Sequence, residues 1–263
     1  MIDLHSHILP GLDDGARDLE RSLDMARASV ADGVTDMVCT PHWVPGKYEN
    51  TRAAILAACA ELRDRLAEAR IPLTLWPGAE LHVDTGIPER IRSGELLTLV
   101  DGGKYVLIEL PEESLPSNLE DFFWALQLDG IKPILSHVER NPVLQRDPMR
   151  LFRWVEMGIL AQITAASLVQ EFSEEILDFS QELIEHRLVH ILVSDAHGLK
   201  RRSPKLSAAR DVVASIAGES AARRMTEDIP RRILEGKFVE PDDPLPYRSA
   251  KHGLRAYFDR FFK

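Results

Sequence analysis

Short apolar runs alternate with longer segments whose apolar positions recur at intervals of three and four. The first kind reads as buried strand and the second as amphipathic helix. The chain opens on a strand in which residues two apart share a face, so Asp3, His5 and His7 align. A breaker-rich loop, 8–15, leads to a helix over 18–32 with a stripe of Leu19, Leu23, Ala26 and Val30, ended by Gly33. A strand over 35–40 runs into Pro41 and His42, and a helix follows over 50–69. Strands are then expected over 72–76, 104–110, 132–136, 160–164 and 189–193. Helical segments separate them: a short one with a loop in 87–99, then 119–129, 151–157 and most of 165–186. Two further helices, 206–217 and 231–234, come after the last strand.

This alternation predicts an α/β fold, a parallel sheet covered by helices. A closed barrel and an open doubly wound sheet both satisfy it. No Gly-rich phosphate loop follows the first strand, which disfavours a Rossmann or P-loop fold. No repeat or low-complexity tract divides residues 1–240. Pro241 to Pro246 then reads as a linker, and residues 251–263 mix Arg255, Arg260 and Lys263 with Tyr257, Phe258, Phe261 and Phe262. That tail is expected to dock on the barrel or on a neighbouring subunit; weak contact with a membrane surface is the sharper alternative.

Composition narrows the partners. A formal net charge of -10 over 263 residues argues against nucleic acid and suits a holder of divalent cations. The apolar segments are strand-length and interrupted by charge, so neither a signal peptide nor a membrane span is expected. Cys39 and Cys59 make no disulfide framework, which suits a reducing cytoplasm.

The candidate chemistry sits at the C-terminal ends of the strands. The first supplies His5 and His7, with Asp14 nearby. The next four supply His42, Glu80, Glu109 and His137, and the last supplies Asp195 and His197. Any one of these is unremarkable, but in a barrel all these ends face one rim, where active sites are built. In a closed barrel the first and last strands are neighbours, so His5-x-His7 would abut Asp195-x-His197. Imidazoles and carboxylates without thiolates suit ions such as Mn, Fe or Zn, and nine donors are too many for one. Two or three ions are implied, with Glu80 as the bridging carboxylate. Such a cluster favours attack of a metal-bridged hydroxide on phosphorus. Arg140 and Arg202 are placed to hold a phosphate, with Arg201 a weaker rival. His42 is also the candidate to protonate a leaving group.

Other reactive residues carry less. Cys59 and Arg65 have the spacing of a cysteine phosphatase but lie in a glycine-free helix, and Cys39 reads as core. His190 reads as packed, His82 as structural, and His186 and His252 as surface.

The order His-x-His, His, Glu, His, Asp-x-His resembles the polymerase and histidinol phosphatase (PHP) superfamily. The opening Asp3-Leu4-His5-Ser6-His7-Ile8-Leu9-Pro10-Gly11-Leu12-Asp13-Asp14-Gly15 is similar, more closely, to the bacterial capsule and exopolysaccharide protein-tyrosine phosphatases of the CpsB/YwqE type. Thr40-Pro41-His42, Gly78-Ala79-Glu80, Ile108-Glu109-Leu110, His137-Val138-Glu139-Arg140 and Ser194-Asp195-Ala196-His197 resemble that group's later blocks. The resemblance spans about residues 1–235. It implies a distorted, TIM-like (β/α)7 barrel and a trinuclear site often holding manganese, with iron, zinc, cobalt or magnesium as alternatives. It also implies hydrolysis of phosphotyrosine on a tyrosine kinase or polysaccharide co-polymerase, without a phosphoenzyme, near the inner face of the membrane. Val138 and Gly198 stand where the group often has Pro and Asn, which bears on substrate contacts rather than on the ions. A small-molecule phosphatase acting on histidinol phosphate and a non-catalytic regulator of polysaccharide machinery remain as alternatives, and the number of subunits stays open.

Overall fold

The first strand, Ile2–Ser6 (β1), is buried along its whole length, as a strand covered on both faces must be. In the computed structural model, which describes residues 1–247, it pairs with the second strand on one side and is bridged to the end of the last on the other. Helix Leu19–Ala31 (α1) starts where the Asp18 carboxylate accepts the Arg21 N–H. Strand Asp36–Cys39 (β2) lies parallel to β1. The chain then breaks at Thr40 and Pro41 and resumes as His42–Val44 (β3), which turns back in a short hairpin to Tyr48–Glu49 (β4). Helix Arg52–Glu68 (α2) is capped by Thr51. Strand Thr74–Pro77 (β5) pairs with β2, and after Gly78 and Ala79 the chain resumes as Glu80–His82 (β6), paired with β3.

The remaining alternation is regular. Ile87–Arg92 (α3) precedes Tyr105–Glu109 (β7), Leu119–Leu128 (α4) and Lys132–Leu135 (β8). Pro142–Arg146 (α5) and Pro148–Glu156 (α6) lead to Leu160–Thr164 (β9). Ala165–Leu168 (α7) and Glu174–Glu185 (α8) lead to Ile191–Val193 (β10). Ser207–Ala217 (α9), Glu219–Arg223 (α10) and Ile229–Leu234 (α11) follow.

Ladders join β1, β2 and β5 in one sheet and β10, β9, β8, β7, β6, β3 and β4 in another. With β2–β3 and β5–β6 each taken as one interrupted strand, seven parallel strands stand in a round. It is completed by a single bridge between Ser6 and Ala196, with bonds of 2.9 Å from Asp195 N–H to the His5 carbonyl and from His7 N–H to the Ala196 carbonyl. This is a distorted (β/α)7 barrel. Gly78 is required at its interruption, because a Cβ there would come 2.9 Å from Val38 Cγ1.

The main core lies between strands and helices. A second cluster gathers Leu107, Ile134, Leu160, Ile191 and Val193 with Ile229 and Ile233 of α11. The segment after α11 runs along the N-terminal ends of the strands. Lys132 Nζ donates to the Val239 carbonyl at 2.7 Å, and Leu245 N–H to the His186 carbonyl at 2.9 Å. The tail expected beyond this point, and His252 with it, lies outside the described residues. Among those described, no helix is long and apolar enough to cross a membrane.

Three expectations need adjustment. The strand over 35–40 does not run on through His42, because Pro41 cannot extend the ladder. The helix over 165–186 is two, parted at 169–173, where Gln170 takes φ 60°. The segment between the strand over 35–40 and the helix over 50–69 is not plain loop but the β3–β4 hairpin, which turns at Pro45 and Gly46, the latter at φ 74°.

His190 is buried beside β10 and accepts the Ala161 N–H on Nδ1 at 3.1 Å, which places its proton on Nε2. Burial pushes its pKa down to about 4 from 6.5. The unfolded chain therefore takes up a proton between those values while the folded chain does not, so this residue costs stability as pH falls through that window. The wild type is expected to lose roughly 3 kcal/mol more than a His190→Asn variant between pH 7 and pH 4. Denaturant melts of both proteins at the two pH values check this; parallel losses would contradict it.

Candidate metal centre

His5 and His7 project from the end of β1 with their Nε2 atoms 3.1 Å apart, and both side chains are fully buried. Two imidazole nitrogens this close need a cation or a proton between them. The surrounding groups continue the pattern. Glu80 Oε2 lies 3.3 Å from His5 Nε2, 3.4 Å from His7 Nε2 and 3.0 Å from His42 Nδ1. Glu80 Oε1 lies 3.0 Å from His137 Nε2. Asp195 Oδ1 is 3.3 Å from His5 Nε2 and 3.4 Å from His7 Nε2. Asp14 Oδ1 stands 3.5 Å from His42 Nε2 and 3.4 Å from His197 Nε2. Glu109 closes the ring, 3.6 Å from His137 Nε2 and 3.8 Å from His42 Nδ1. All nine donors expected from the sequence thus meet in one continuous cluster.

Their contacts are short, yet many are not hydrogen bonds. Both Glu80 oxygens, Asp195 Oδ1, His42 Nδ1 and His197 Nε2 are buried without a hydrogen-bond partner among the described residues. Such atoms cost free energy unless something absent from the chain satisfies them. Their lone pairs converge in overlapping groups: His5, His7 and Glu80; His42, Glu80 and Glu109; and His7, Asp14, His42 and His197. Oxygen and imidazole donors in shared groups fit more than one divalent ion, with Glu80 and His42 common to neighbouring positions.

Local backbone aims the donors. His137 at φ 30° and Asp195 at φ 51° take left-handed conformations that side chains rarely adopt, and both sit where a strand ends and its residue must turn inward. Gly15 is needed because a Cβ there would come 2.1 Å from the His7 carbonyl oxygen; the 8–15 loop folds back onto His7. Asp3 lies behind the pair. Its carboxylate accepts the Ser194 hydroxyl at 2.5 Å and the Ser194 N–H at 3.1 Å, joining β1 to the end of β10. Burial pushes its pKa up to about 6 despite those bonds.

The partners that orient these rings lie far from them in the chain or beside a like residue, and the motifs do not single them out. Asp13, not only Asp14, belongs to the site: its Oδ2 is 2.6 Å from His7 Nδ1 and accepts the His42 N–H at 2.9 Å. Burial disfavours a charged His7, but Asp13 opposite it raises its pKa well above the usual value. Gln162 Oε1 faces His5 Nδ1 at 3.0 Å, reaching in from β9, two strands round from β1. Each leaves the ring's Nε2 pointing into the cluster.

Arg140 and Arg202 both reach the other side of Asp195. Their Nη2 atoms donate to Asp195 Oδ2 at 2.5 and 2.6 Å. Burial raises the Asp195 carboxyl pKa, but Arg140 and the nearby imidazoles outweigh it and hold it well below the usual range. Arg202 Nε has no partner among the described residues. Arg201 is exposed. His82 reaches the rim, 3.4 Å from Glu109 Oε2. Cys39 and Cys59 are buried in the core away from the mouth. The mouth above the cluster encloses about 550 Å³, with Asp14, His42, Glu109, His137, Arg140 and Arg202 in its wall.

The family that matches residues 1–235 is described as capsular polysaccharide synthesis, CpsB/CapC. The chain belongs to the CpsB/CapC family. It is 37% identical over 251 residues to the tyrosine-protein phosphatase YwqE of Bacillus subtilis, covering 95% of this chain and 98% of that one. It is 29% identical over 244 residues to the tyrosine-protein phosphatase CpsB of Streptococcus pneumoniae, covering 91% of this chain and all of the relative (100%). A solved structure from work on YwqE and CpsB, called unique metal-dependent tyrosine phosphatases, matches with a TM-score of 0.90 at 35% identity, over 95% of this chain and 100% of that one. Histidinol phosphate phosphatase from Lactococcus lactis shares the fold alone, with a TM-score of 0.52 at 13% identity. CpsB/CapC membership rests on nearly the whole barrel rather than on the motifs alone.

Because Asp13 fixes the ring of His7, an Asp13→Ala variant is expected to bind Mn about 10- to 100-fold more weakly. Calorimetric titration of Mn into the full chain measures this. Unchanged affinity would show that the contact does not orient a ligand.

Proposed function

We propose that the protein is a metal-dependent phosphatase that hydrolyses phosphotyrosine on a protein of capsule or exopolysaccharide synthesis. The observation that carries this reading is Asp195. One of its oxygens faces the imidazoles of the cluster, and the other takes two arginines at the mouth. Ion-binding and phosphate-binding groups therefore share one carboxylate.

In this reading His5, His7, Asp14, His42, Glu80, Glu109, His137, Asp195 and His197 would hold two or three divalent ions, manganese first among them, with Glu80 common to two neighbouring groups. When bound, such ions supply Lewis acidity toward a phosphoryl oxygen and lower the pKa of coordinated water. The chain's own groups do the rest. Arg140 and Arg202, each held on Asp195 through one Nη2, offer their remaining N–H groups to the substrate and neutralise its phosphate, which suits guanidinium geometry. Their placement on either side of one oxygen keeps the two forks close enough to share one phosphate. The proton for the leaving phenolate is assigned to water at the mouth rather than to His42, both of whose ring nitrogens face carboxylates of the cluster. A phenolate leaves readily, so this contribution is modest. Buried Asp195 holds both arginines in place before substrate arrives, so little reorganisation is needed. The phosphoprotein partner proposed is a bacterial tyrosine kinase, acting near the inner face of the membrane. Residues 1–240 form the catalytic unit of this proposal.

With Mn added, the full chain is expected to release phosphate from a phosphotyrosyl peptide in preference to histidinol phosphate. Chelator should abolish the reaction and Mn restore it. A His5→Ala, His7→Ala double variant should be inactive, and Arg140→Ala or Arg202→Ala should each lower kcat/KM roughly 10²-fold. Turnover of histidinol phosphate alone, or undiminished activity in the double-histidine variant, would overturn the proposal.

A further inference from the structure

Two aromatic side chains stand in the wall of the mouth and take no part in holding an ion or a phosphate. Phe172 comes from the break between α7 and α8, and Tyr48 from β4 on the hairpin. Both are half-buried. In the order of the strands around the barrel they stand on opposite sides, one following β9 and the other following β3.

Each ring is held in a defined attitude. The Arg140 guanidinium carbon lies 5.3 Å from the centre of the Phe172 ring, a cation–π contact. The residue before it, Glu171, accepts the Arg202 N–H at 2.8 Å. One turn, entered through Gln170 at φ 60°, therefore touches both arginines. Tyr48 lies nearly parallel to the His42 ring, 5.9 Å away at 11°, with Lys47 Nζ 4.8 Å from its centre. Beside Phe172 the wall continues through Ile176, and beside Tyr48 through Val44. The charged floor of the mouth thus has two apolar flanks.

A phosphate held by Arg140 and Arg202 has its ester substituent next to Phe172, because Arg140 itself rests on that ring. A short alkyl group would leave the flanks wet. A phenyl group is flat, rigid and long enough to cover them, and ring-on-ring contact adds to the area buried. We propose that Phe172, with Ile176 beside it and Tyr48 across the mouth, is the seat for the phenyl ring of an aryl phosphate. This seat makes the site prefer aryl over alkyl monoesters. The inference rests on the phosphatase reading for its substrate but not for its test.

The test is the affinity of the full, Mn-loaded chain for phenylphosphonate and methylphosphonate, measured by calorimetry. The wild type is expected to prefer the phenyl compound by about tenfold or more. Phe172→Leu keeps an apolar side chain and loses the ring. It should cut that preference to about two- or threefold while leaving methylphosphonate affinity within about twofold. Phe172→Tyr should restore the preference. Tyr48→Leu should lower it partly, and Tyr48→Phe should not. No preference in the wild type, or a Phe172→Leu variant that weakens both compounds equally, would overturn the seat; the second result would leave Phe172 as a prop for Arg140. Turnover of a phosphotyrosyl peptide by the same samples separates the two proposals. Phenyl preference without turnover supports the seat and removes the phosphatase reading, whereas turnover with preference unaffected by either ring removes the seat alone.

Discussion

Glu80 and Asp195 are carboxylates with no exposure to solvent. An ionised carboxylate in such a place is tolerated only when positive charge faces it on every open side. The architecture around them supplies that charge from different strand ends. Imidazoles arrive from β1, β3 and the turn after β8, and guanidiniums from the loops after β8 and β10. The histidines alone cannot balance the account while also keeping their nitrogens aimed at one another, which is the demand that the proposed ions would meet.

That demand explains departures from regular barrel geometry. A continuous strand carries alternate side chains to alternate faces, so its last residues cannot all point the same way. Interrupting β2–β3 at Pro41 and β5–β6 at Gly78 resets the alternation, and His42 and Glu80 enter the cluster in register with each other. Left-handed backbone at His137 and Asp195 does the same at two other strand ends, and Arg202 takes it in the loop after β10. Strain of this kind persists where surrounding packing over-determines it. Here the buried walls of the barrel do so.

Much of this was legible in the order of residues. Strand–helix alternation placed the nine donors at strand ends, and a barrel places strand ends together, so His5 and Asp195 could be paired across the whole chain. The choice between an open sheet and a barrel came from the family resemblance and not from periodicity. What stayed hidden depends on contacts distant in sequence. Asp13 and Asp14 are adjacent and chemically identical, and only the fold of the 8–15 loop sends one to the back of His7 and the other into the cluster. Gln162 reads as an ordinary polar residue in a buried strand until the barrel closes and β9 stands two strands from β1. The break at 169–173 interrupts a segment of sound helical pattern, and its reason is the pair of arginines that its turn touches.

The seam between β1 and β10 has a consequence in time. Asp3 and Ser194 bond across a separation of 191 residues. Synthesis runs from the amino terminus, so β1 is made first and must wait, with its histidines unmatched, until nearly the whole barrel has emerged. Closing so long a loop carries an entropic cost met only when the last strand docks. A chain still short of β10 thus carries seven of the nine clustered side chains but lacks Asp195 and His197, and with Asp195 the anchor of both arginines. The order of synthesis thereby couples the appearance of activity to the completion of the fold.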